Sequence, residues 1–206
     1  MLYTPPHFAV EQRDIAAALI RANPFATLIT PADEPIVSHV PLLLVEQGDA
    51  WRLLGHVARA NPHWQAWGER KRVLAIFHGG DAYVSPALYS TKKAVPTWNY
   101  AVVHVHGTIE LSHDSESKEQ VLKSLIERHD PDYRRQWDEL DEPYREGMKG
   151  GIVAFSIAVE RIDAKFKLSQ NRPADDRARV LRAMQSGGDK GRQLARWSGG
   201  PKGEGA

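Results

Sequence analysis

The feature that most constrains the fold is a succession of short apolar segments separated by turn residues. Segments rich in β-branched and aromatic residues predict strands at 25–30, 36–45, 51–57, 73–77 (resuming at 83–85), 98–111 and 151–159. Short segments of Pro, Gly, Asp and Asn separate the first three of them, at 31–35 and 47–49. Such connections are typical of hairpins, whose strands run antiparallel. The sequence therefore predicts a mainly antiparallel sheet.

Helices are predicted between some of these strands, in no regular alternation. The segments are 10–22, a short helix that opens at Asn61-Pro62, an amphipathic helix around 117–126 with Ser117 and Gln120 as a capping box, and 174–185. This order favours an α+β fold, an antiparallel barrel with peripheral helices, over a doubly wound parallel sheet. The sequence contains neither Gly-x-Gly-x-x-Gly nor Gly-Lys-Ser/Thr, which argues against dinucleotide-binding and P-loop folds.

Composition excludes several classes of site. The 206 residues include no cysteine, so disulfides, cysteine nucleophiles and thiolate metal centres are excluded. The net charge of +1 provides no overall attraction to nucleic acid. With neither a leader-like N-terminus nor an apolar run that could span a membrane, the chain is expected to be cytoplasmic. We predict one domain over residues 1–172, followed by a helix and a Gly-rich basic tail over 173–206, mobile at its end.

Two segments combine a strand end with groups that suit an anion or a flat ring. Arg59 ends a strand and leads directly into the helix start at Asn61, where free amides and a guanidinium favour a phosphate. The alternative is an ordinary capped helix beside a solvated arginine. In 38–41 a proline marks a strand end or edge, where backbone amides stay free for a ligand. The alternative is a hairpin strand with a polar face.

Two further segments are basic and polar. In 89–100, lysines and hydroxyls precede the aromatic Trp98, a mixture that suits a phosphate and a heteroaromatic ring, or else an exposed loop. In 165–172, a basic strand end closes over a ligand or a dimer partner, or is simply solvated. His104 and His106 share one strand face, but two imidazoles without a third ligand fall short of a metal site, and none is predicted.

Six motifs occur in an order that resembles a known family. They are Tyr3-x-Pro-x-x-Phe8, Ser38-His39-Val40-Pro41, Gly55-His56-x-Ala58-Arg59-x-Asn61-Pro62, Tyr83-Val84-Ser85-Pro86, Val95-Pro96-Thr97-Trp98-Asn99-Tyr100 and Lys167-Leu168-Ser169-Gln170-Asn171. Together they resemble the PaiB-type FMN-binding negative transcriptional regulators, which are related to the pyridoxamine-phosphate-oxidase-like split barrels. The resemblance covers about residues 1–185. One departure is Leu88, where the family pattern has tryptophan.

The resemblance implies a homodimer of six-stranded split barrels, with FMN in a cleft at the subunit interface. It implies phosphate contacts from Arg59, Asn61, Lys92, Lys93 and Thr97. It places the backbone of Val37, Ser38 and His39 against the isoalloxazine, and His56, Ala58 and Trp98 along the pocket wall. It has Gln170 and Asn171 reach across from the other subunit.

Three functional classes stay open on the sequence. The first is a flavin-binding transcriptional regulator, with DNA as a candidate partner of the basic segment from Lys165 and of the C-terminal helix, although no helix-turn-helix pattern is present. The second is a flavin-dependent oxidoreductase that uses NAD(P)H. The third is a binder of another planar cofactor, such as a haem or a deazaflavin, through histidines at 39, 56 and 104.

Overall fold

The computed structural model describes residues 2–68 and 71–199. These residues fall into two units that share three long strands. Of the described residues, the terminal unit comprises 2–23, 77–104 and 162–199, and the central unit comprises 24–68, 71–76 and 105–161. No helix among the described residues has both the length and the apolar character needed to cross a membrane.

Within the described part of the chain, seven strands form one sheet. They are β1 Phe25–Thr30, β2 Ile36–Pro41, β3 Leu43–Gln47, β4 Ala50–Ala58, β5 Arg72–Val84, β6 Thr97–Ser112 and β7 Ile152–Lys167. The sheet order is β2-β1-β5-β6-β7-β4-β3. Pairing is antiparallel in β1–β2, β1–β5, β3–β4 and β4–β7. The predicted antiparallel sheet with peripheral helices is confirmed, whereas the predicted number of six strands is wrong.

The seventh strand arises because the predicted strand 36–45 divides at Leu42. Pro41 has no N–H for a sheet ladder. The N–H of Leu42 donates to the carbonyl of Pro24 at 2.9 Å, and its side chain is buried. Beyond this point the chain leaves β1, and Leu43 pairs with Leu54 of β4 instead. One continuous apolar run thus supplies two strands with different partners.

The sheet of the central unit curls until its first strand meets its sixth. β2 contacts β4, although four strands lie between them in the sheet order. At Gly55 of β4, an added Cβ would lie 2.7 Å from Cδ2 of Leu42 and 3.2 Å from the carbonyl oxygen of Pro41. Glycine therefore permits this close approach. An antiparallel sheet that curls in this way is an incompletely closed barrel.

β5 differs from the sequence prediction in being continuous. The predicted interruption at 78–81 is wrong, because Gly80 carries the strand through with a φ of 99°. A Cβ at this position would lie 2.7 Å from the carbonyl oxygen of Lys190 in the terminal unit. Glycine is thus needed both for the left-handed backbone and for the close approach.

The helices are partly as predicted. They are α1 Arg13–Ala22, α2 Ser115–His129, α3 Tyr133–Glu139, α4 Glu142–Gly150, α5 Ala174–Gln185 and α6 Asp189–Ala195, with 3₁₀ turns at Pro6–Phe8, Pro62–Trp67, Pro86–Leu88 and Arg196–Gly199. The predicted cap of α2 is wrong: Asp114 is the N-cap and accepts the Ser117 N–H at 2.7 Å. The helix predicted at 174–185 is confirmed, while α3, α4 and α6 were not predicted.

The C-terminal predictions have different outcomes. The predicted mobile end of the tail falls on 200–206, outside the described residues. The domain boundary at 172–173 stays a prediction.

Candidate functional site

The free edge of β2 presents backbone groups that the sheet does not use. Leu42 lies opposite Pro24 in the same register as the β1–β2 pairs, and this pair is hydrogen-bonded. Hydrogen-bonded and non-bonded pairs alternate along an antiparallel ladder, so Ser38 bonds inward to β1. Val37 and His39 therefore direct their N–H and C=O groups away from β1. β2 is the end strand of the sheet, as the predicted role of its backbone requires.

Ser38 and Asn61, two residues of the predicted site, are brought into direct contact. Asn61 Nδ2 donates to Ser38 Oγ at 3.1 Å, and Asn61 Oδ1 accepts the His63 N–H at 3.0 Å. Asn61 therefore caps the short helix that the sequence predicted at this position, and ties it to β2. The side chains of Ser38 and Asn61 are thus used within the protein.

A buried hydrogen-bonded chain lies behind Ser38. His63 Nδ1 is 2.8 Å from Ser38 Oγ, and His63 Nε2 is 2.8 Å from Thr30 Oγ1. The indole of Trp67 donates to the same Thr30 oxygen at 2.9 Å. His63 is 1% exposed, and burial lowers its pKa. The sequence reasoning missed His63; its only signal was its position in the first turn after Asn61-Pro62.

Arg59 is exposed, but its guanidinium is partly engaged. Nε donates to the carbonyl of Gly150 at 2.8 Å, and one terminal nitrogen donates to the carbonyl of Ile152 at 3.2 Å. The backbone N–H of Arg59 also donates to Gly151, at 2.8 Å. Arg59 therefore fixes the junction of α4 and β7. Its other terminal nitrogen has no partner in the described part of the chain, and is available to an oxyanion.

His56 and Ala58 lie on the same face of β4. Helix α2 covers this face near His56 but not at Ala58. His56 pairs in register with Ala154, which packs against Val121 and Leu125 of α2. Directly opposed residues of a strand pair share a face. Nδ1 of His56 is buried without a partner among the described atoms, and burial lowers the pKa of this imidazole. Ala58 is exposed at the strand end.

In the terminal unit, Trp98 lines a cavity of about 420 Å³. Its ring meets Tyr83 edge-on, with centroids 5.8 Å apart, and these side chains are 54% and 56% exposed. Leu88 and Met184 contribute apolar surface to the same cavity. Exposed aromatic rings beside a cavity suit a planar apolar ligand. Leu88 here replaces the tryptophan of the family pattern.

The predicted phosphate residues of the terminal unit differ in exposure. Lys92 and Lys93 are both exposed, without a side-chain partner among the described residues. Thr97 is half-buried, and its hydroxyl accepts a hydrogen bond from Nζ of Lys167. Lys167 belongs to the recognised motif, but sequence reasoning assigned it no role.

Gln170 and Asn171 follow β7. The Gln170 side chain accepts the Leu168 N–H at 2.7 Å and donates to the carbonyl of Phe166, so it stabilises its own turn. Ser169 adopts a φ of 66° and accepts a hydrogen bond from Asn99 at 3.0 Å. Asn171 is exposed. A contact of these side chains with a second subunit stays a prediction.

Within 2–68 and 71–199, no group of three or more His, Asp or Glu side chains is placed to hold a metal ion. His106 Nε2 instead lies 2.9 Å from a terminal nitrogen of Arg161.

Comparison with protein families identifies the chain. Residues 2–161 match the family described as "Putative FMN-binding domain". The chain belongs to this family. It is also 35% identical over 188 residues to the protease synthase and sporulation protein PAI 2 of Bacillus subtilis, an alignment that covers 90% of each chain. The resemblance to PaiB-type proteins is thereby confirmed, and FMN is the cofactor of the family.

Solved structures share the fold at low sequence identity. The FAD and heme binding protein from Mycobacterium smegmatis superposes with a TM-score of 0.62 at 17% identity, covering 82% of this chain and 78% of that one. The flavocytochrome Anf3 from Azotobacter vinelandii also gives 0.62, at 18% identity, covering 83% and 75%. At these identities the likeness establishes the fold alone.

Proposed function

We propose that this PaiB-like protein binds FMN with the polar edge of the isoalloxazine against the free edge of β2. The supporting observation is the register of β2, which directs the N–H and C=O groups of Val37 and His39 away from β1, where no described backbone group bonds to them. The pyrimidine edge of a flavin alternates carbonyl acceptors with an N–H donor, so a strand edge offers it matching partners. The donor set thus fits FMN.

The phosphate is assigned to Arg59, beside the helix start at Asn61. One terminal nitrogen of Arg59 stays available, and its other two nitrogens hold the guanidinium in place. A preorganised guanidinium forms strong charge-assisted bonds to phosphate oxygens. When bound, FMN supplies redox and light-absorbing chemistry that none of these side chains has. Six residues of the terminal unit stay proposed FMN contacts: Lys92, Lys93, Thr97, Trp98, Gln170 and Asn171.

Arg59→Ala tests this site. We expect the dissociation constant for FMN, measured by flavin fluorescence on the apoprotein, to rise about 10- to 100-fold because a charge-assisted bond is lost. Arg135→Ala is the matched control, since the Arg135 side chain is 90% exposed, and it should leave FMN binding unchanged. Unchanged affinity in Arg59→Ala would remove the assignment. A purified protein with a haem spectrum and no affinity for FMN would contradict FMN as the cofactor.

We further propose that the protein is a homodimer. On the outer face of β1 and β2, Phe25 is 67% exposed and Val37 is 49% exposed. They share a face because the odd-numbered residues of the two strands are paired. Apolar side chains exposed together on a sheet suit a second copy of the chain.

DNA contact is a third proposal, consistent with the regulator type. In α5, Arg177 and Arg182 are exposed and carry no ion pair within the described part of the chain. Arg179 and Arg192 are instead paired with Asp176 and Asp189. Exposed arginines without a carboxylate partner are side chains of the type that contacts DNA phosphates. A cytoplasmic location is proposed as well, from the similarity to PaiB-type regulators.

A further inference from the structure

Among the described residues, a group of cations in the terminal unit has no counter-charge. It consists of Lys165, Lys167 and Arg172, at the end of β7 and in the turn that follows. Within the described residues, none of the three forms an ion pair with a carboxylate. Buried or half-buried charges are normally paired, so uncompensated cations in one place indicate a missing anion.

Lys167 is held in place by neutral groups. Its Nζ donates to the hydroxyl of Thr97 and, at 2.7 Å, to the carbonyl of Trp98. An ammonium group has three donors, so one N–H is left after these two bonds. The side chain is half-buried, and burial, followed by the charges of Lys165 and Arg172, lowers its pKa. These positive neighbours raise the local potential where the remaining N–H lies.

The neighbouring cations are positioned by aromatic rings. Nζ of Lys165 donates to the carbonyl of Tyr3 at 2.8 Å and lies 5.3 Å from the ring centroids of Tyr3 and Tyr100. The guanidinium of Arg172 lies 4.1 Å from the ring centroid of Tyr89. Cation–π contacts fix these side chains without neutralising their charge. The positive field at Lys167 is therefore built into the fold.

We propose that Lys167, supported by Lys165 and Arg172, forms an anion site that binds a phosphate group. The Thr97 hydroxyl, held by Nζ of Lys167, lies at the same place and can donate its own proton to a phosphate oxygen. Two sources share this chemistry, the phosphate of FMN itself and a second phosphate-bearing ligand. The first source rests on the proposed FMN function, and the second does not.

The experiment compares FMN with riboflavin, which lacks only the phosphate. In the wild-type apoprotein, FMN should bind more tightly than riboflavin. If Lys167 contacts the FMN phosphate, Lys167→Met should weaken FMN about 10- to 100-fold and leave riboflavin within about 3-fold, because one charge-assisted bond is lost. Lys167→Arg should retain most of the preference. Lys71→Met, at an exposed lysine of the central unit, is the matched control.

A second measurement uses inorganic phosphate on the apoprotein. Phosphate should raise the Tm of the wild type and of Lys71→Met, but not that of Lys167→Met, because a ligand stabilises only the fold that binds it. Lys167→Met could keep the wild-type preference for FMN over riboflavin and yet no longer be stabilised by phosphate. This result would support the anion site and assign it to a second ligand.

Two outcomes would overturn the anion site. One is an equal loss of FMN and riboflavin in Lys167→Met, with phosphate still stabilising that variant. The other is no change in either measurement. If the wild type binds neither flavin, the FMN function fails, and the phosphate measurement still decides the anion site.

Discussion

At the scale of single residues, His63 links the predicted site to the core. Its ring is hydrogen-bonded to Ser38 and Thr30, and its position was not predicted because its partners lie 25 and 33 residues away. Local spacing predicted the cap at Asn61, which depends on neighbours in the chain. It did not predict the carbonyls that engage Arg59, which come from 91 and 93 residues further along. Local motifs thus identified residues whose partners only the fold reveals.

His63→Gln should destabilise the protein and change its pH dependence. Removing the ring takes one hydrogen-bond partner from each of two buried hydroxyls, those of Ser38 and Thr30, at a cost of about 2 kcal/mol at neutral pH. The folded-state pKa of His63 lies below its unfolded value near 6.5, as does that of His56. The unfolded chain therefore takes up protons first as the pH falls, and wild-type stability should decrease by about 1 kcal/mol per pH unit per histidine below about pH 6.5.

Urea unfolding between about pH 7.5 and 5 measures both effects. The slope against pH should be smaller in His63→Gln, since one of the two contributing imidazoles is gone. The control is the exposed His113→Gln, with a stability cost below about 0.5 kcal/mol at neutral pH. A His63→Gln protein with the wild-type pH slope would contradict the argument.

At the scale of elements, the sequence predicted where most strands lie. It did not predict where β2 ends, nor the short charged helices α3 and α4. α3 and α4 have only 7 and 9 residues and are rich in charge, so each has too few apolar residues for a helical period to be recognised in the sequence. They are fixed to α2 through Glu119, which accepts from the Trp137 indole at 3.0 Å and lies 3.2 Å from Nζ of Lys149. Burial raises the pKa of Glu119. Hydrogen bonds from Trp137, Lys123 and Lys149 outweigh this effect and lower the pKa to about 2. Such long-range ion pairs have no local signature.

The approach of β2 to β4 depends on Gly55, and Gly55→Ala should impair it. The new Cβ would overlap Cδ2 of Leu42 at 2.7 Å and meet Cζ of Phe155 at 3.0 Å. We expect a loss of about 1–3 kcal/mol in unfolding free energy from overpacking. FMN affinity should also fall, because the free edge of β2 is displaced.

Gly147→Ala is the matched control. Gly147 lies in α4 with no atom within 4 Å of an added Cβ, so the same substitution should stabilise by about 0.5–1 kcal/mol. Thermal unfolding distinguishes the two variants. A neutral or stabilising Gly55→Ala would show that the two strands do not need glycine to approach each other.

At the scale of the whole molecule, a net charge of +1 allows DNA binding only through a localised surface. Arg177 and Arg182 provide two such charges per chain, and a homodimer presents four. Counterion release gives a slope of about −0.9 in log K against log salt for each neutralised phosphate, so a dimer should show about −3.6 and a monomer about −1.8.

Retention of a promoter fragment at several salt concentrations measures this slope. Replacing both Arg177 and Arg182 with glutamine should abolish the salt-dependent retention. Arg135→Gln, at a separate exposed site, should leave it unchanged. Salt-independent retention, or an unchanged slope in the double variant, would exclude α5 as the DNA contact. Light scattering on the same samples gives the mass, about 23.1 kDa for a monomer or twice that for a dimer, and so decides which slope applies.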